Sequence, residues 1–310
     1  MTFKTSSTFP VPAGPFPDHT QLDGLFYDIG VLTHDERATL STDKKVEGMV
    51  LEVGPSSAPS LKVWQGIAVC EGLAESYPAI TVAGVGSSGL GAAALARNVA
   101  DAFDQKVLAV VSGYGMTDLA REAMGGFFLF GGLNAMRHSM QSAEQSWADW
   151  SWMRPSVFGK PMRPMDPGEP WQLAHHSKDV KALVELITDR VSTRWLVGHS
   201  KGNLVISEAL YALRAQTRAR KRDDFADLVG DLEIITFGAR IAMPPEIKTV
   251  IDVMGDLDTF GAMNSRPDIP VDIAIRNAWH HTNTALAFHV PVTEVVRGVL
   301  DKAQTSNHSC

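Results

Sequence analysis

The chain is poor in several features that mark large classes of protein, beginning with cysteine. It has 2 cysteines in 310 residues, Cys70 and Cys310. So few, so far apart, make neither a disulfide framework nor a metal-ligand spacing, and they fit a reducing compartment. Positive charge is also scarce. The balance of 28 Lys and Arg against 35 Asp and Glu gives a net charge of −7, which speaks against nucleic acid as a partner. The one dense basic run, RAQTRARKR from Arg214 to Arg222, is that of a solvated helix end and loop. Long hydrophobic runs are missing too. The most apolar stretch, GGFFLFGGLNAM (Gly125 to Met136), is too short and glycine-broken to span a bilayer. The opening MTFKTSSTFPVPAGPFP has one lysine, no apolar h-region and prolines that forbid a helix. No secretory signal or transmembrane segment is expected, and the location expected is cytoplasmic.

What is present is a globular composition, 45% hydrophobic and 20% charged, in a chain long enough for a large core. Residues 1–45 read as a proline-rich arm, with the part up to about Gly30 laid over the surface. VEGMVLEV (Val46 to Val53) alternates as a strand, GPSSAP is a turn, and Gln65 to Tyr77 reads as a helix ended by Pro78. Then the order becomes clear. A buried-strand run (Ile80 to Ala83), a loop of small residues (Gly84 to Gly91), an alanine-rich helix to Phe103 and a second apolar strand (Lys106 to Val111) make a βαβ unit. Such a unit implies a parallel sheet covered on both faces.

Residues 119–176 break the alternation. Trp147, Trp150, Trp152 and Trp171 lie there among methionine, proline and glycine. The segment reads either as a satellite core or as a lid that shapes an apolar pocket. Alternation resumes with an amphipathic helix (Ser177 to Val191). Strands follow near Trp195, in Leu232 to Arg240, from Thr249, and from Val271, before a last helix, Val292 to Gln304. The α/β core expected is therefore 46–118 with 177–310.

The chemistry centres on STRWLVGHSKGNLVISEALYAL, Ser192 to Leu213. An apolar strand, the pentapeptide Gly198-His199-Ser200-Lys201-Gly202 and a helix form the context in which Gly-x-Ser-x-Gly marks a nucleophile elbow. The pentapeptide alone is a weak signal, and its flanks carry the weight. Ser200 is the expected nucleophile, with the Lys201 N–H aimed at an oxyanion beside a helix N-terminus. A serine nucleophile needs a base, and the base needs a carboxylate to orient it. Downstream, Asp256 and Asp258 leave one strand, and His280 and His281 leave the next. A rival is GVGSSG (Gly84 to Gly89), which fits the dinucleotide fingerprint. That fingerprint needs an acidic residue at the end of the second strand, where this chain has Val110, Val111 and Ser112.

Taken together, these segments resemble the α/β-hydrolase superfamily from about Ile80 to the C-terminus. TVAGVGSSG resembles its oxyanion strand and loop, and AVVSGYGMTD the segment after the following strand. LVGHSKG resembles its elbow, VMGDLDTF its acid motif and NAWHH its base motif. The resemblance implies an α/β-hydrolase fold: a mostly parallel sheet with helices on both faces and an inserted aromatic-rich cap. It implies Ser200 as nucleophile, Asp258 as acid in preference to Asp256, and His280 as base with His281 the alternate. Val85 and Lys201 would supply the oxyanion N–H groups. Departures are Ala83 for the usual histidine, Ser112 for proline, Trp279 for glycine, and Asn203 for a small residue after the elbow. They place the chain in a divergent branch. The expected activity is hydrolysis of a carboxylic ester with an apolar or acyl-chain substrate, without cofactor or metal. Acyl transfer, thioester or amide cleavage would use the same triad, and a non-catalytic binding scaffold is the alternative from another class. The sequence leaves the oligomeric state open, a homo-oligomer included.

Overall fold

The computed structural model describes residues 19–41, 47–67, 70–84, 87–112, 177–219 and 224–307. The expected cap, 119–176, and the expected oxyanion residue Val85 lie outside these residues.

The strands are β1 (Val50–Val53), β2 (Leu61–Trp64), β3 (Ser76–Val82), β4 (Val107–Val110), β5 (Ser192–His199), β6 (Glu233–Phe237), β7 (Thr249–Gly255) and β8 (Ile273–Ile275). They form one eight-stranded sheet in the order β2-β1-β4-β3-β5-β6-β7-β8. From β4 across to β8 every pairing is parallel, while β1 is antiparallel to both β2 and β4. Side chains alternate between two buried faces. Ala79, Trp195, Val197, Ile235 and Phe237 point into one core, and Ile80, Val82, Leu196 and Ile234 into the other. A strand buried on both faces must be apolar at nearly every position, which is why these segments read as unbroken hydrophobic runs.

Helices cover both faces. On the first, α3 (Gly89–Phe103) packs on β1, β3 and β4 and is flanked by α1 (His19–Phe26), α2 (His34–Ser41) and α8 (Val292–Asn307). Its alanines let it lie close to the sheet, and every residue from Gly89 to Ala100 is buried. On the second, α4 (Lys178–Glu185) packs with α5 (Lys201–Ala219), and α6 (Phe225–Val229) lies against α5. The short α7 (Thr259–Met263) follows β7.

Arg97 of α3, 1% exposed, is paired with Glu36 of α2 at 2.5 Å. The same carboxylate accepts the Thr33 N–H at 2.8 Å, closing a capping box in which the Glu36 N–H bonds Thr33 Oγ1 at 3.3 Å. One buried carboxylate thus both starts α2 and docks it on α3. Removing either member of such a pair leaves a buried charge unpaired and costs about 3–5 kcal/mol.

Two local expectations need correction. The described part of the N-terminal segment is helical rather than a surface arm, with Asp23 and Tyr27 at 0% and 1% exposure. Ser76 and Tyr77 belong to a strand, not a helix, and Pro78 lies within it. Pro78 is tolerated because pairing with β4 starts only at Ile80, so its missing N–H faces no partner strand on that side. The amphipathic helix expected before the elbow is present, α-helical from Lys178 to Glu185 and π-helical from Leu186 to Arg190.

Candidate active site

β5 ends at His199 and α5 begins at Lys201, so Ser200 is the single residue between strand and helix. Its φ is +54°, a strained conformation for a residue with a side chain. The backbone holds it there: the Ser200 N–H bonds the Phe237 carbonyl at 2.7 Å, and its own carbonyl accepts the Asn203 N–H at 3.1 Å. Gly202 is obligatory in this turn, because a Cβ there would stand 2.0 Å from the Val82 carbonyl oxygen. Asn203, which sequence reasoning noted only as a departure, braces the elbow. Its Nδ2 donates to the carbonyls of Phe237 (3.0 Å) and Ala239 (2.9 Å), tying α5 to the exit of β6.

Asp258 and His280 come to Ser200 from the exits of β7 and β8. Asp258 is 3% exposed and caps α7, with Oδ1 accepting the Gly261 N–H at 2.6 Å. His280 Nδ1 lies 2.8 Å from Asp258 Oδ2 and 3.0 Å from Oδ1. A carboxylate has only acceptors, so Nδ1 carries the hydrogen and Nε2 is left as a lone pair. That lone pair is 2.9 Å from Ser200 Oγ. Serine hydroxyl, imidazole and carboxylate thus form one directed chain, the arrangement that makes a serine nucleophilic.

The paired residues left open by the sequence are separated by geometry. Asp256 is exposed in the turn after β7, whereas Asp258 is buried. His281 turns away, with Nε2 on the Ala287 carbonyl at 3.0 Å, and burial lowers its pKa. Lys201 opens α5, so its N–H lies in the first turn of that helix beside Ser200. Around His280 stand Phe260, Phe26 and Trp279, with ring centroids 4.8, 6.0 and 6.5 Å away.

Gly84, which opens the small-residue loop before α3, lies close to Ser200. A Cβ on Gly84 would lie 2.9 Å from Ser200 Cβ and 3.0 Å from the His199 carbonyl oxygen. At the far end of the loop, Ser88 caps α3, and its N–H (3.1 Å) and hydroxyl (2.5 Å) are both bonded to the Asp23 carboxylate. The place a pyrophosphate would take at this helix N-terminus therefore holds one of the chain's own carboxylates.

Sequence reasoning missed Tyr27, Asp23 and the side chain of His199. Nothing local marks them, because their partners lie 57 to 172 residues away. Cys70 is buried, and burial pushes its thiol up to about 11, so it is a poor nucleophile. Among the described residues no cluster of His, Cys, Asp and Glu is arranged to hold a metal, and no helix is long and apolar enough to cross a membrane. Comparison of the chain with protein-family models, with curated proteins and with solved structures finds no match.

Proposed function

We propose that the chain is a serine hydrolase of the α/β-hydrolase type, cleaving carboxylic esters through an acyl-enzyme. The observation that carries this reading is the directed chain Ser200–His280–Asp258, with Ser200 at positive φ on a strand-to-helix turn. Ser200 Oγ attacks the ester carbonyl carbon while His280 Nε2 takes its proton. The resulting imidazolium is stabilised by Asp258, and returns the proton to the leaving alcohol as the C–O bond breaks. Water, deprotonated by the same nitrogen, then attacks the acyl-enzyme and frees the acid. The Lys201 N–H at the start of α5 is the proposed donor to the tetrahedral oxyanion, with the Val85 N–H as the second. Such donors are worth about 10²–10³ in kcat each.

An apolar acyl group suits the surroundings of the base. Phe26, Phe260 and Trp279 encircle His280, and Leu257 and Phe288, 46% and 58% exposed, belong to the loops that carry the acid and the base. The Asp23 carboxylate at the start of α3 weighs against a dinucleotide there.

The test is turnover of p-nitrophenyl esters of increasing chain length, with fluorophosphonate labelling. Wild type should turn over and label, and Ser200→Ala should lose both while keeping its circular dichroism. Activity that survives Ser200→Ala would overturn the reading. A wild type that binds acyl ligands without turnover would favour a binding scaffold.

A further inference from the structure

One buried histidine has no part in that mechanism. His199, beside the nucleophile, is 1% exposed and lies with its ring centroid 5.0 Å from that of His280. Its hydrogen bonds can be assigned completely. Nε2 faces the backbone carbonyl oxygen of His280 at 2.8 Å. A carbonyl can only accept, so Nε2 carries the hydrogen and Nδ1 is an acceptor. The Tyr27 hydroxyl lies 2.8 Å from Nδ1 and must donate to it. The same hydroxyl oxygen accepts the Gly84 N–H at 2.6 Å. The result is a one-way relay: Gly84 N–H to Tyr27 Oη, Tyr27 O–H to His199 Nδ1, His199 Nε2–H to the His280 carbonyl.

This relay spans the three pieces that must meet at the site. Gly84 starts the loop that passes the nucleophile, His199 is the last residue of β5, and the final acceptor is the backbone of the base itself. Tyr27 is anchored from both sides. Asp23, one turn back in α1, holds Ser88 at the far end of the same loop. The Phe26 carbonyl accepts the Thr282 N–H at 2.8 Å, and the Gly24 carbonyl accepts Asn283 Nδ2 at 2.6 Å, both just beyond the base.

We infer that Tyr27 and His199 are positioning residues of this site, a buried hydrogen-bond relay that fixes the Gly84 loop and the His280 backbone relative to Ser200. The inference rests on the serine-hydrolase reading. It assigns the relay position, not proton transfer. Burial, and then the neighbouring His280 charge, push the His199 imidazole down to about 3, and burial raises the Tyr27 phenol. Both groups therefore stay neutral near neutral pH, and neither takes up the proton that moves in the proposed reaction.

Tyr27→Phe, His199→Phe and His199→Gln test this, with kcat and KM expressed per fluorophosphonate-titrated site, and imidazole nitrogen spectra of the wild type. A displaced base costs transition-state stabilisation without weakening ground-state binding. Tyr27→Phe should therefore lower kcat by about 10-fold or more, with KM changed by less than about 2-fold. His199→Phe should fall further, and His199→Gln, which keeps a side-chain N–H for the His280 carbonyl, should recover a large part. A merely structural role would reduce the titratable fraction and leave kcat per site intact, and that result would overturn the inference. If both phenylalanine variants fail to fold, His199→Gln and the spectra decide. His199 protonated at Nε2 and neutral while a surface histidine titrates supports the relay, and protonation at Nδ1 overturns it. A wild type inactive on esters would instead defeat the hydrolase reading, and the spectra alone would then judge the relay.

Discussion

At the amino end of the parallel strands, Glu52 of β1 is 3% exposed and accepts from Lys106 Nζ at 2.9 Å and the Tyr77 hydroxyl at 2.5 Å, with Lys62 Nζ at 3.7 Å. At the carboxyl end Asp258 is equally buried, yet its partners are the His280 imidazole and the Gly261 N–H, and no lysine or arginine pairs with it among the described residues. Two carboxylates of one sheet are thus neutralised differently. Glu52 has its counter-charge permanently. Burial works to raise its pKa, but the Lys106 and Tyr77 hydrogen bonds and the two lysine charges hold it below the usual carboxylate value. Asp258 gains a full counter-charge only when His280 takes a proton, which in the proposed reaction happens as Ser200 attacks. The structural carboxylate is balanced in the ground state. The carboxylate of the candidate site is balanced in the transition state.

The largest expected effect follows directly. Asp258→Asn keeps shape and most packing but offers His280 an amide that can donate as well as accept. The imidazole can then take the tautomer with its hydrogen on Nε2, facing the serine hydroxyl instead of accepting from it. Ester turnover should fall about 10⁴-fold, with KM and thermal stability little changed. Steady-state kinetics on a short p-nitrophenyl ester measures it. A loss below about 10-fold would mean that the carboxylate at this end is structural too, and the contrast with Glu52 would collapse.

A second prediction sharpens the contrast, because the carboxyl end keeps neutral what the amino end keeps charged. The unfolded chain protonates His199 near 6.5, whereas the folded protein refuses that proton until about 3. Between those values the unfolded state binds more protons, so the stability is present above 6.5 and is lost as pH falls through the window. The linked loss is on the order of several kcal/mol. Asp252 of β7 acts in the opposite direction. Burial, and after it the Asp272 charge, raise it from 3.8 to about 6, so its contribution is lost as pH rises through that interval. Urea unfolding of wild type and of His199→Gln at the same pH values cancels the Asp252 contribution. The wild type's margin over the variant should shrink steadily as pH falls from roughly 7 to 4. A margin independent of pH would show that His199 titrates like a surface histidine.

How much of this was legible in the sequence depends on how far apart the cooperating residues lie. The elbow is local: an apolar strand, two glycines at the turn and a helix stand within one short stretch, and Ser200 is found there. The order of Ser200, Asp258 and His280 along the chain was legible because each follows the end of a parallel strand. The choice between adjacent residues was not. Whether Asp258 or Asp256, and His280 or His281, reaches Ser200 depends on which side chain the turn directs inward, and both members of each pair have the same chemistry. β2 was missed because a half-exposed edge strand of four residues carries no strong alternation. Tyr27 was beyond reach, since no pattern links a tyrosine just past the end of a short helix to a histidine 172 residues later. The α/β layering was legible because burial on both faces writes itself into the central strands, β3 to β6, as apolar runs.

The smallest expected effect tests the amino end. Glu52→Gln keeps a hydrogen-bond acceptor for the Tyr77 hydroxyl and removes only the charge that two half-exposed lysines share, Lys62 at 54% and Lys106 at 49% exposure. Those ammonium groups already reach water, so their release is inexpensive. Stability should drop by about 1 kcal/mol, and by no more than about 3. Because Glu52 pairs with Leu108 near the start of β4, whereas Ser200 follows the carboxyl end of β5, kcat and KM should not move. Urea unfolding with parallel ester assays measures both. A fall in kcat at unchanged stability would couple the two ends of the sheet, and the counter-charge of Glu52 would then belong to the site as well as to the scaffold.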